Sequence, residues 1–280
     1  MQSILKDMVI TDTFIYLELQ KTGCSHTKQI LANVFGSKCQ IVEKHFTYDK
    51  VSPEILGDFE NKLKVGNIRN PWDWYVSLWA FGCQRKGGLY SRLTNQQERK
   101  NVFTKIGLEK IIEKKLKIEF AKTSPELWRQ LYSDVNNHQN FNTWLSLLLS
   151  GKKQDTGKEF KANKISKFSG FLTYRYLKLY TYRNTFDNIR SLKDLKIYDS
   201  NENFMNVIIR NETLHEDLYE NAKTLNFTPE KLTAVLEGYK EKTNRSKRNE
   251  DYRIYYTDES VNLVEEYENL IVEKYNYQFE

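Results

Sequence analysis

TFIYLELQKTGCSHTKQILANVFG, residues 13–36, is the stretch that decides the fold. Residues 13–19 form a short apolar, β-prone run and read as a strand. The run stops at a polar, glycine-containing turn, Gln20-Lys21-Thr22-Gly23-Cys24-Ser25. A helix follows, with Ile30, Leu31, Val34 and Phe35 on one face and Gly36 placed to cap its C-terminus. A strand that turns through glycine into an amphipathic helix opens an α/β unit.

The chain downstream repeats this alternation. Residues 39–46 and 63–68 read as two further strands. Arg69-Asn70-Pro71-Trp72-Asp73 comes next. Asn70 suits an N-cap, Pro71 the first helical position, and Asp73 the place of a capping carboxylate. The helix continues through Trp74 and Trp79. Residues 203–210 give a late strand, followed by a helix through Leu214, Leu218 and Ala222, and residues 259–274 form an amphipathic tail helix. From about 85 to 167 the pattern is helical and heavily charged. The expected architecture is a three-layer α/β/α fold with a central parallel sheet, as a single domain over 1–280. A helical insertion at 85–167 would shape an acceptor site, and 242–280 would supply a basic lid loop and closing helix.

Composition narrows the classes. The 280 residues include 5 Trp, 18 Tyr and 15 Phe, ample bulk for a core and unlike a disordered chain. Only 12 Gly and 4 Pro are present, which excludes collagen-like and low-complexity classes. No apolar stretch approaches the ~20 residues that span a bilayer, so no membrane insertion is expected. Residues 1–21 carry acids within their apolar run and lack a small-residue cleavage site, so the cytoplasm is the expected location. Cys24, Cys39 and Cys83 are too few and too scattered for a disulfide framework or a zinc site, and no metal is expected. A net charge of +6 suits an anionic small ligand as well as nucleic acid.

Two segments carry chemistry. In the first, Gly23 permits close backbone approach and the helix start offers free N–H groups to an anion. Lys21 adds a charge; Thr22, Ser25 and Thr27 add hydroxyl donors. By itself this loop reads equally as an ordinary strand–helix turn or as a phosphate cradle. It is not the G-x-x-x-x-G-K-[ST] loop of nucleotide triphosphatases, because its lysine precedes the glycine. In the second segment, Arg69 is followed eight residues later by Ser77, a guanidinium and a hydroxyl suited to a second phosphate. The bland alternative pairs Arg69 with Asp73 and leaves Ser77 as helix filling.

Together, KTGCS at 21–25 and RNPWDWYVS at 69–77 resemble the sulfotransferases that use 3′-phosphoadenosine 5′-phosphosulfate (PAPS). GCSxxK at 23–28 is similar to carbohydrate sulfotransferases and their bacterial relatives. VIIRNETLHEDL at 207–218 resembles the family's late strand and helix, and residues 244–267 resemble its C-terminal cofactor loop and closing helix. The likeness covers both ends of the chain and is weak over 85–200.

This resemblance implies PAPS as sulfuryl donor and its 3′-phosphoadenosine 5′-phosphate product (PAP), with no metal. It assigns the 5′-phosphosulfate to Lys21, Thr22, Gly23, Cys24, Ser25 and Thr27, with His26 touching the nucleotide. It assigns the 3′-phosphate to Arg69 and Ser77, with Ser246, Lys247 and Arg248 as a lid. Lys21 would act on the leaving oxygen. His45, at a strand end, is the first choice for the base, because imidazole titrates near neutrality; Glu43 is the rival. The acceptor would be a glycan or small metabolite. Two other readings are a P-loop nucleotide kinase and a nucleic-acid or polyanion-binding module built on the basic loop at 242–253.

Overall fold

The computed structural model describes residues 8–42, 48, 59–94, 124–149, 160, 163–183, 185–238 and 248–280, with 41–42 as backbone only. In chain order the elements are β1 (Met8–Ile10), β2 (Phe14–Leu17), α1 (Cys24–Phe35), β3 (Gln40–Val42) and β4 (Leu63–Ile68). Then come α2 (Pro71–Cys83), α3 (Gly88–Thr94), α4 (Pro125–Leu131), α5 (His138–Leu149), α6 (Phe171–Tyr180) and α7 (Leu192–Glu202). The chain closes with β5 (Val207–Arg210), α8 (Leu214–Glu220), α9 (Pro229–Glu237), α10 (Asp258–Tyr267) and α11 (Asn269–Tyr275). These fall into two compact units. One draws on Met1–Asn70, Arg175–Thr185 and Lys193–Arg245; the other on Pro71–Tyr174, Phe186–Leu192 and Ser246–Glu280.

The first unit holds the sheet, ordered β3-β1-β2-β4-β5. β2, β4 and β5 are parallel neighbours, as the alternation of strands and helices predicts. The expected all-parallel sheet is nonetheless a mixed one. β1 runs antiparallel to both β2 and β3, so one reversed strand lies among four that share a direction. The cause is local. Only residues 11–13 separate β1 from β2, and so short a connection joins antiparallel neighbours only. Thr11 builds the turn, its hydroxyl oxygen accepting from the amides of Thr13 (3.2 Å) and Phe14 (3.0 Å). A three-residue strand is too short to display an alternation, which is why sequence reasoning passed over β1.

Alternation along the strands divides the sheet into two faces. Val9, Phe14, Tyr16, Val65, Val207 and Ile209 share a core with Ile30, Leu31 and Val34 of α1, Leu214 and Leu218 of α8, and Leu232 of α9. Each such side chain contributes about 1.5–3 kcal/mol by leaving water. On the other face Tyr180, at the end of α6, lies over Gly66. Its hydroxyl accepts from the Asn67 amide (3.0 Å) and donates to the Asn67 carbonyl (2.9 Å). A β-carbon at Gly66 would stand 2.4 Å from that oxygen, so the position requires glycine. The late strand is shorter than expected because asparagines intercept its start: Asn206 Oδ1 accepts from the Lys64 amide (2.8 Å) and Asn203 Oδ1 from that of Met205 (3.0 Å).

In the second unit the described residues of 85–167 carry helices and turns, in line with the expected helical region. All five tryptophans, Trp72, Trp74, Trp79, Trp128 and Trp144, are buried there. α2 is buried through most of its length, and Trp79 meets Phe141 of α5 and Tyr255 edge to face. The expected tail helix is two helices, α10 and α11, with Glu268 between them. Glu268 is fully buried. Its carboxylate accepts from the amides of Leu172 (3.0 Å) and Thr173 (2.8 Å), from the Thr173 hydroxyl (2.6 Å) and from Tyr75. It thus caps the first turn of α6 from a distant part of the chain. Burial raises this carboxyl to about 7.

Candidate functional site

The C-terminal ends of β2, β4 and β5 meet at one edge of the first unit's sheet, and the loops leaving them bring together much of what the sequence singled out. After β2 the chain enters the left-handed region at Lys21 (φ 68°) and Gly23 (φ 78°), and α1 begins at Cys24. Gly23 is the N-cap and offers no side-chain acceptor, and the first turn carries no acidic residue. A β-carbon on Gly23 would lie 2.5 Å from Asn211 Oδ1, so only glycine lets the loop after β5 approach this closely. The Gly23 carbonyl accepts from the amides of His26 (2.9 Å) and Thr27 (3.1 Å). The amides of Cys24 and Ser25 precede that ladder and lie where a helix start receives an anion.

The hydroxyls expected to face a phosphate divide in role. Thr22 is buried and donates to the Leu19 carbonyl at 2.6 Å, holding the loop itself. Thr27 is also buried; its hydroxyl lies 3.4 Å from the Gly23 carbonyl and accepts from Asn67 Nδ2 at 3.0 Å. Ser25 is half-buried. Cys24 is buried, and desolvation raises its thiol to about 12, in line with a packing role rather than a nucleophilic one.

Arg69 leaves the end of β4 and donates from Nη1 to the Lys21 carbonyl at 3.0 Å. Lys21 and Arg69, 48 residues apart, are thereby clasped at one edge. Asp73, in the second unit, pairs with Arg248. There Arg248 keeps only 9% of its side-chain surface exposed, and its Nη1 is buried with no hydrogen-bond partner among the described residues. Ser77 lies within α2 at 2% exposure. Glu43, His45, Ser246 and Lys247 lie outside the described residues.

Several residues here escaped sequence reasoning. Asn67 is fully buried on the core face of β4 and accepts from the Tyr16 hydroxyl, which also lies 3.2 Å from the Cys24 carbonyl. Tyr16, Asn67 and Thr27 thus tie the first turn of α1 to the sheet. The one available signal was an asparagine inside an apolar strand, where a buried amide needs partners. Lys28 forms an ion pair with Glu18 at 2.7 Å, both about nine-tenths buried, so its charge is already matched. Arg175 donates to Gln20 Oε1 at 2.8 Å, beside Lys21. Glu212 accepts from the Asn70 amide at 2.8 Å. His138 and His215 both have ring partners. His138 lies 4.9 Å from the Tyr255 ring, and His215 faces His26.

One lysine and one arginine are clasped at the head of a helix with no carboxylate in its first turn, an arrangement whose charge suits an anion. Among the described residues no group of three metal-ligating side chains gathers, and no helix is long and apolar enough to cross a membrane. No protein-family model, curated protein or solved structure matches the chain.

Proposed function

We propose that this chain is a sulfotransferase that moves the sulfuryl group of PAPS to an acceptor hydroxyl, with carbohydrate the favoured acceptor class. One observation carries the reading: the clasp between the Arg69 guanidinium and the Lys21 carbonyl. It joins the lysine of KTGCS to the arginine that opens RNPWDWYVS, the two segments that carry the resemblance. A second supports it. Arg248, assigned to the 3′-phosphate by resemblance, holds a buried guanidinium nitrogen with no hydrogen-bond partner among the described residues, a donor suited to an anionic oxygen.

The donor supplies a sulfuryl group attached to a phosphate leaving group, and transfer is an in-line displacement. The chain's part is electrostatic. The Cys24 and Ser25 amides and the α1 dipole would hold the 5′-phosphate. Lys21 would neutralise charge growing on the bridging oxygen. Arg69 would bind the 3′-phosphate. The acceptor proton would pass to His45 or Glu43. A kinase reading lacks the G-K-[ST] signature, and a polyanion-binding module leaves the Lys21–Arg69 clasp without a purpose.

Calorimetric titration with PAP, AMP and ATP, each with and without Mg²⁺, tests the proposal. The expected result is metal-independent binding that requires the 3′-phosphate. Preference for ATP with Mg²⁺ would overturn it in favour of a kinase. Binding of long polyanions alone, weakening steeply with salt, would favour the binding module.

A further inference from the structure

Among the described residues, four other than glycine enter the left-handed region: Lys21 (φ 68°), Arg85 (φ 58°), Asn226 (φ 63°) and Asn276 (φ 51°). Asparagine tolerates that region, and Arg85 lies just past the end of α2, where helices commonly stop through it. Lys21 ends no helix; it lies between β2 and α1. Glycine would take its place without steric strain. A residue strained in this way persists only where its surroundings hold it, and such residues gather at functional sites.

The hold on Lys21 is made residue by residue. Thr22, fully buried, donates to the Leu19 carbonyl at 2.6 Å. The Lys21 carbonyl accepts from Arg69 Nη1 at 3.0 Å. Gln20 Oε1 accepts from Arg175 Nη1 at 2.8 Å. The φ angle of Lys21 relates the peptide that joins it to Gln20 to its own carbonyl carbon. Arg69 fixes the carbonyl side of that rotation, and Arg175 fixes Gln20 on the other. The two guanidiniums come from different elements: Arg69 follows β4 directly, and Arg175 belongs to α6. α6 is itself tied to β4, because the Tyr180 hydroxyl bonds both the amide and the carbonyl of Asn67. Both arginines therefore refer the loop to one strand, and all of these residues belong to the first unit.

We infer that Arg175 is a positioning residue: by holding Gln20 it keeps Lys21 in the left-handed conformation from which the lysine serves the transfer proposed above. The inference rests on that reading for the chemistry of the lysine, and on the hydrogen bonds alone for its conformation. A lysine stands where glycine would be easier because its ammonium is needed at this point of the loop. Arg175 acts through Gln20 and touches neither donor nor acceptor.

Two substitutions at residue 21 read the conformation without any ligand. Lys21→Gly and Lys21→Ala both remove the ammonium. Only glycine accepts a positive φ without strain, whereas alanine is the more stabilising residue at an ordinary φ. Thermal melts of the full chain should place Lys21→Gly above Lys21→Ala by roughly 1–3 °C. With Arg175→Gln added, the order should close or invert, because a released loop lets residue 21 relax. Gln20→Leu removes the same bond from its exposed end and should act alike, so a folding defect in one variant leaves the other to decide. Alanine at or above glycine in the otherwise wild-type chain overturns the inference, as does a gap that neither variant changes.

A second measurement reads the chemistry. Sulfate release from PAPS, with water in place of the acceptor hydroxyl, is followed beside calorimetric PAP affinity. Arg175→Gln should slow release roughly ten- to a hundredfold while PAP affinity changes by less than about threefold. Arg175→Lys keeps a donor and should recover most of the rate. In a Lys21→Ala background Arg175→Gln should cost nothing further, because it acts through that lysine. A wild-type rate in folded Arg175→Gln overturns the inference. The expected melting order in a wild-type chain that binds no PAP upholds the hold on Lys21 and overturns the sulfotransferase reading. The melts decide the conformation at any rate of release.

Discussion

Under the proposed function Lys21 and Arg69 would have separable duties. Arg69 reaches back to the Lys21 carbonyl and presents its charge at the sheet edge, where its proposed duty is to bind. Arg69→Ala should weaken PAP binding by about 1.5–3 kcal/mol, the worth of a charge-assisted hydrogen bond. Unchanged affinity in calorimetry would remove Arg69 from the site. Lys21 should matter chiefly when charge develops on the leaving oxygen. Lys21→Ala is therefore expected to lower kcat far more than nucleotide affinity, and a variant with normal turnover would exclude Lys21 from the transition state. Arg69, Lys21 and Gly23 were legible in sequence because each belongs to a short contiguous pattern. Asn67, Tyr16 and His215 were not, because each acquires its meaning from a partner brought over by folding.

Between elements, the seating of α1 on the sheet depends on a few buried polar contacts. Asn67 holds Thr27 and Tyr16 together on the core face of β4. Asn67→Leu keeps the size but takes one hydrogen bond from each partner, leaving Tyr16 the Cys24 carbonyl and Thr27 the Gly23 carbonyl, and each lost bond costs about 0.5–1.5 kcal/mol. Urea unfolding should show a loss of about 1–3 kcal/mol; a loss within experimental scatter would show that these contacts do not hold the helix. The opposite face offers an independent check. Gly66→Ala would push a methyl group into the Tyr180 hydroxyl, a clash expected to cost about 1–3 kcal/mol. Tyr180→Phe in the Gly66→Ala background should recover part of that loss by removing the oxygen. No recovery would place the strain elsewhere.

For the molecule as a whole, Glu268 makes stability depend on pH. Burial raises its carboxyl from 4.5 to about 7, so the folded chain keeps a proton that the unfolded chain has already released. In that window the native state binds more protons, and stability falls as pH rises. The contribution is full below the unfolded value and is lost as pH climbs through 7. Glu268→Gln lacks the titration. Tryptophan fluorescence suits the measurement, since all five tryptophans lie in the same unit as Glu268. Wild-type stability relative to Glu268→Gln should decline between pH 4.5 and 7. A constant difference across that range would show that Glu268 is already ionised in the fold.

Sequence alone determined the α/β class, the strand–turn–helix at 13–36, the parallel run of β2, β4 and β5, and the helical character of the described residues after α2. All of these follow from local periodicity, caps and contiguous motifs, which a chain displays before it folds. Tertiary structure decided the reversed β1, the break at Glu268, the clasp of Arg69 on Lys21, the Tyr16–Asn67–Thr27 network and the meeting of His26 with His215. The physical reason is common to them: a buried polar group must find its partner wherever the packed chain delivers one, and 189 residues separate the two histidines that meet.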